Sequence, residues 1–68
     1  MSAAEQQQRL SQLLSEMPKH ERQALMLHDA HGFEIAAIAA ALDRDQADIE
    51  ANLRNAREKL RMALFAAD

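Results

Sequence analysis

One glycine and one proline punctuate this chain of 68 residues, and that scarcity limits what it can fold into. All-β folds need many tight turns, and tight turns draw on Gly, Pro, Asn and Asp. Ala, Leu, Glu, Gln, Arg and Met supply most of the remaining positions, and these residues favour helix. With no cysteine, disulfides and thiolate metal centres are excluded. Phe33 and Phe65 are the only aromatic side chains, which excludes a platform of aromatics for stacking bases. A chain this short buries only about 60 % of its unfolded surface and has little left to enclose a catalytic cavity. No apolar run approaches the roughly 18 residues of a membrane span. The opening MSAAEQQQRL lacks the charged-then-apolar layout of a secretory signal. The expectation is a single all-α domain over residues 1–68, cytoplasmic, with no membrane segment, no cofactor and no enzymatic activity.

Helix signals divide the chain into four. Ser2 and Glu5 have the spacing of a capping box, and Leu10, Leu13, Leu14 and Met17 follow at i, i+3, i+4, i+7. A first helix is expected over about residues 3–16. Pro18 stops it and suits the first turn of a second helix, about 18–30, with Leu25 and Leu27 or His28 turned inward. Gly32 reads as the left-handed cap after that helix. A third, short helix over about 34–42 buries Ile35, Ile38, Ala39 and Leu42. Asp43–Asp45 forms a turn, and Asp45 with Asp48 places carboxylates where a helix dipole welcomes them. The fourth helix runs from there to about residue 66. Its apolar residues Ile49, Leu53, Ala56, Leu60 and Ala63 step by 4, 3, 4, 3, a seam of coiled-coil type. Four helices, the last two joined by three residues, fit a helix-turn-helix.

Charge is distributed unevenly along these elements. Residues 34–50 carry Arg44 against Glu34, Asp43, Asp45, Asp48 and Glu50, a net of −4. Residues 51–68 carry Arg54, Arg57, Lys59 and Arg61 against Glu58 and Asp68, a net of +2. Around these charges a family pattern emerges. Met17-Pro18 with Arg22 four residues on, the run Ala24–Leu27, Gly32, the stretch Ala37-Ile38-Ala39-Ala40-Ala41-Leu42 and the closing Ala56–Arg61 (A-R-E-K-L-R) follow one register. From Leu13 to Leu64 the chain resembles the C-terminal DNA-binding domain, region four, of bacterial RNA polymerase sigma factors, most closely the extracytoplasmic-function type.

The resemblance implies a domain that reads the upstream promoter element by laying its fourth helix in the major groove. It implies promoter DNA and the RNA polymerase core as partners, or an anti-sigma-type protein. Gln46, Glu50 and Asn52 then face base edges, while Arg44, Arg54 and Arg57 approach phosphates. The sequence departs from the family where the family is basic. Asp48, Glu50 and Asn52 stand where it has Thr or Ser, then Lys or Arg, then Arg, and Asn55 stands at a further basic position. The family's Ser and Glu at the start of helix three are here Glu34 and Ala37. Each lost cation removes a term from the counterion release that drives binding to DNA.

A second reading keeps the fold and gives it a different role. The acidic face of Asp43, Asp45, Asp48 and Glu50 then meets a basic protein. Leu60, Leu64 and Phe65, beyond the reach of helices one to three, supply apolar area for a partner or for a homodimer. The histidines do not make a metal site: His28 and His31 share a face, His20 is two turns away, and a site needs three or four ligands. They are expected to face solvent near a helix C-terminus.

Overall fold

The protein is described here by a computed structural model covering residues 2–65, with Phe65 represented by its helical backbone. Four α-helices form in the expected order: α1 (Ala3–Glu16), α2 (Lys19–Leu25), α3 (Ile35–Leu42) and α4 (Gln46–Phe65). The described residues contain no strand.

Local chemistry accounts for most helix ends. The Glu5 amide donates to Ser2 Oγ over 3.2 Å, so Ser2 caps α1. Met17 leaves the helix in an extended conformation, and Pro18 follows with ψ 144°. Pro18 therefore sits at the cap of α2, one position before the first turn, and the Arg22 amide donates to its carbonyl. The Arg22 guanidinium reaches back to the Leu14 carbonyl at 3.2 Å. That supplies a donor and a positive charge to the open C-terminus of α1. The residue that marked the family pattern by its spacing from Pro18 thus fastens the first two helices together.

Helix two does not run uniformly to residue 30. After Leu25 it widens into a π turn over Met26–Ala30, closed by the His31 amide on the Met26 carbonyl. Gly32 then takes φ +75°, the left-handed turn expected of it. His28 is half-buried and its Nδ1 donates to the Phe33 carbonyl at 2.7 Å, whereas His20 and His31 are exposed. The expectation of solvent-facing histidines holds for His20 and His31, whereas half-buried His28 follows the alternative that turned it inward, tied by its ring to the Phe33 carbonyl. A second left-handed residue closes α3: Asp43, with φ 54°, while the Arg44 amide donates to the Ala39 carbonyl. Asp is one of the few side chains that tolerate this conformation. It permits the three-residue turn into α4.

Two apolar clusters lie along the inner face of α4. The first joins Ala24, Ile38, Ala39, Ile49 and Leu53 from α2, α3 and α4, with Leu27, Ile35 and Leu42 around it. The second joins Met17, Leu25 and Ala56, with Leu13, Leu14 and Leu60 packed against it. The sequence predicts an exposed Leu60. It is half-buried instead, because α1 packs on α4 and Leu60 joins Leu13 and Leu14 against the cluster of Met17, Leu25 and Ala56.

Candidate nucleic-acid interface

Helix α4 has one face in the core and two flanks, and the helical period assigns the polar residues between them. Ile49, Leu53 and Ala56 point inward. Glu50, Arg54, Arg57 and Arg61 fall at i, i+4, i+7 and i+11 and line a shallow groove beside Ile35. Asp48, Asn52, Asn55 and Lys59 occupy the opposite side by the same spacing. The outer face of the first half of α4, together with the turn before it, carries most of the residues that the family pattern assigns to DNA.

The expected site residues divide by exposure. Gln46, Asp48, Glu50, Arg54 and Asn55 are exposed on this surface. Asn52 is not freely available: it is half-buried, and its Nδ2 is enclosed without a hydrogen-bond partner. Its position one turn after Ile49 and one before Ala56 places it at the edge of the core. Arg44 is half-buried too, with one terminal nitrogen 3.9 Å from Asp48 and the other enclosed and unpartnered. A guanidinium in the turn and a carboxylate in the first turn of α4 therefore face each other at i, i+4. Of the expected interaction residues, Leu64 is 55 % exposed, Leu60 is half-buried, and the Phe65 side chain lies outside the described residues.

The basic residues of α4 are mostly occupied within the protein. Arg57 reaches Asp29 of the π turn at 2.8 Å, and Lys59 reaches Glu21 of α2 at 2.6 Å. Arg61 pairs with Glu58 on α4 itself. The hydrogen bond to Asp29 holds the Arg57 guanidinium above its ordinary pKa, and that to Glu58 does the same for Arg61. With Arg44 beside Asp48, every basic side chain of residues 44–61 except Arg54 stands within 4.0 Å of a carboxylate among the described residues. Nothing local in the sequence announces the pairs to Asp29 and Glu21, which join residues 28 and 38 positions apart.

Other chemistries find little to work with in the described residues. No group of three or more His, Asp or Glu is placed to hold a metal ion. No helix is long and apolar enough to cross a membrane.

Comparison with known proteins agrees with this geometry. The family model for sigma-70 region 4 matches residues 7–60, from the second turn of α1 to Leu60 on α4. No curated protein and no solved structure gave a significant match. The matched span takes in both helices of the helix-turn-helix, the Arg22 fastening and the A-R-E-K-L stretch of the closing motif. By that match the chain belongs to the sigma-70 region 4 family, whose members are all-α, non-enzymatic, DNA-binding modules of the transcription machinery.

Proposed function

We propose that residues 1–68 act as one cytoplasmic unit in bacterial transcription initiation, placing α4 in the major groove of an upstream promoter element with a reduced electrostatic grip. The polymerase core is the partner that the family role implies. One observation carries this reading. The exposed start of α4 presents Asp48 and Glu50, and Arg54 is the one cation there that no carboxylate engages among the described residues. Affinity for duplex DNA scales with the number of phosphates neutralised, so this surface begins with few such terms. Gln46 and Asn55, both exposed, retain the hydrogen-bonding capacity to read an adenine edge.

The test is a titration against duplex DNA at two salt concentrations, comparing the protein with a Glu50→Lys, Asn55→Arg variant. These positions are exposed, so the fold should tolerate the change. Each new phosphate contact steepens the log–log salt slope by about 0.9, so two contacts should add about 2. Nanomolar binding of the unmodified domain to a specific duplex in physiological salt would refute the weak grip. A variant that gains nothing would mean that α4 does not enter the groove.

A second reading, as a protein-interaction module, draws on the far end of the molecule. There Leu10 and Leu64 stand 40 % and 55 % exposed and share an apolar hollow with Ala3 between α1 and α4. An anti-sigma-type protein or a second copy of the chain would cover it. Sedimentation of the protein beside its Leu64→Glu variant decides this. Association that the substitution abolishes supports the reading, and a monomer in both cases removes it.

A further inference from the structure

Lys59 and Arg57 are two residues apart on α4, yet they bond to carboxylates eight residues apart on the α2–π-turn unit. The two basic side chains leave α4 on opposite flanks, so the unit crosses α4 obliquely and holds it from both sides. Each acidic partner occupies its cation as a phosphate oxygen would. The bonds are short, 2.8 Å for Arg57 to Asp29 and 2.6 Å for Lys59 to Glu21, and both donors are charged. Glu21 is the more firmly placed of the acids, with 12 % of its side chain exposed against 44 % for Asp29.

From this arrangement we infer that Asp29 and Glu21 are internal competitors for the DNA backbone: they hold Arg57 and Lys59 against the body of the domain and so set its affinity for polyanions. The inference rests on the groove-docking reading for its consequence at DNA, but the competition itself needs only a polyanion. Arg57 and Asp29 both stand about half in water, where an ion pair is weak, screened by salt and readily exchanged, while the more enclosed Glu21 holds Lys59 more firmly. A phosphate offered at the same distance replaces the Asp29 carboxylate at small cost, and the Glu21 carboxylate at a larger one. Binding would therefore convert two internal pairs into two external ones, and most of the electrostatic gain would be spent on breaking the first set. The acids determine affinity without touching the ligand. They are positioning residues for Arg57 and Lys59.

The experiment compares the whole chain with an Asp29→Asn, Glu21→Gln variant, in which shape is kept and charge removed. Two probes are used, heparin and a duplex of arbitrary sequence, each titrated over a range of salt. Circular dichroism establishes that helicity is retained. If the variant is not folded, the single substitution Asp29→Asn at the more exposed position is carried through the same titrations. With both acids removed, the salt slope should steepen by about 1–2 and affinity at low salt should rise several-fold for both probes. Adding Arg57→Ala and Lys59→Ala should cancel the gain. An unchanged slope for heparin in a folded variant would overturn the inference. A gain for heparin with none for the duplex would sustain the competition and count against the docking of α4 instead.

Discussion

The two apolar clusters along α4 are built to different standards. Around Ile49 and Leu53, three helices close over side chains that retain 0 and 2 % of their surface, and Ile38 of α3 retains 1 %. Around Ala56 the buried neighbours are Met17 and Leu25, with Leu13, Leu14 and Leu60 half-buried beside them, and α1 itself contributes no fully buried residue. Beyond that point Met62 and Leu64 stand open, at 62 and 55 %. The first cluster belongs to the helix-turn-helix and fixes the angle of α4. The second cluster holds α1 against α4 through half-buried leucines. An isolated helix of 14 residues is marginal in water, so α1 persists through its Ser2 cap, its leucine stripe and the Arg22 bond to Leu14. The largest fully buried side chains, Ile38, Ile49 and Leu53, lie where α3 and α4 meet.

Four experiments sharpen or break that contrast. The largest effect is expected for Leu53→Asp, which places an unpaired charge in the first cluster. The cost of several kcal/mol exceeds what a total stability of about 5 can absorb, and far-ultraviolet circular dichroism should show the helices lost. Leu13→Asp, at the rim of the second cluster, should leave α2 to α4 folded; equal loss from both would erase the distinction. Next comes Ile38→Ala, expected to cost about 2–4 kcal/mol in urea unfolding, beside about 1 for Leu14→Ala, whose side chain is already half in water. Native-state hydrogen exchange gives a subtler reading. Amides of α1 should exchange through local opening well before those of residues 49–56 in α4. Uniform protection would mean that the two clusters unfold as one. The smallest effect concerns the turn that aims α4. Asp43 holds φ 54°, and Asp43→Gly should relieve that strain by about 0.5–1 kcal/mol, raising the melting temperature by several degrees. A lower melting temperature would mean that the Asp side chain contributes more than its backbone costs.

Much of this architecture was legible in the residues. The spacing of Leu10 to Met17, the Ser2 cap, the break at Pro18 and the 4-3-4-3 seam of α4 each depend on neighbours a few positions away. The helices start and stop within about two residues of where those signals put them, except that α2 gives way to the π turn after Leu25 instead of running to residue 30. The π turn at Met26–Ala30 was not legible, because its sequence is a sound α-helical one and the widening accompanies the return of the chain through Gly32 and Phe33. At the interface the acidic start of α4 and the missing family cations were plain in the sequence. The position of Asn52 in the motif predicts a base reader. Its half-burial follows from how closely the body packs against that flank, which spacing alone leaves undecided.

Sequence by itself determined that this chain is four helices ending in a helix-turn-helix, because capping, periodicity and helix propensity act over single turns. It also determined the count of charges on α4. Only the tertiary structure decided which of those charges remain free. Arg57 and Lys59 look available in any helical wheel, and each meets its carboxylate solely because α2 and its π turn cross α4 at one angle. That angle is set by how Ala24, Ile38, Ile49 and Leu53 fill the space between three helices. Packing is a property of all the surfaces at once, so the electrostatic character of the exposed face is decided in the core beneath it.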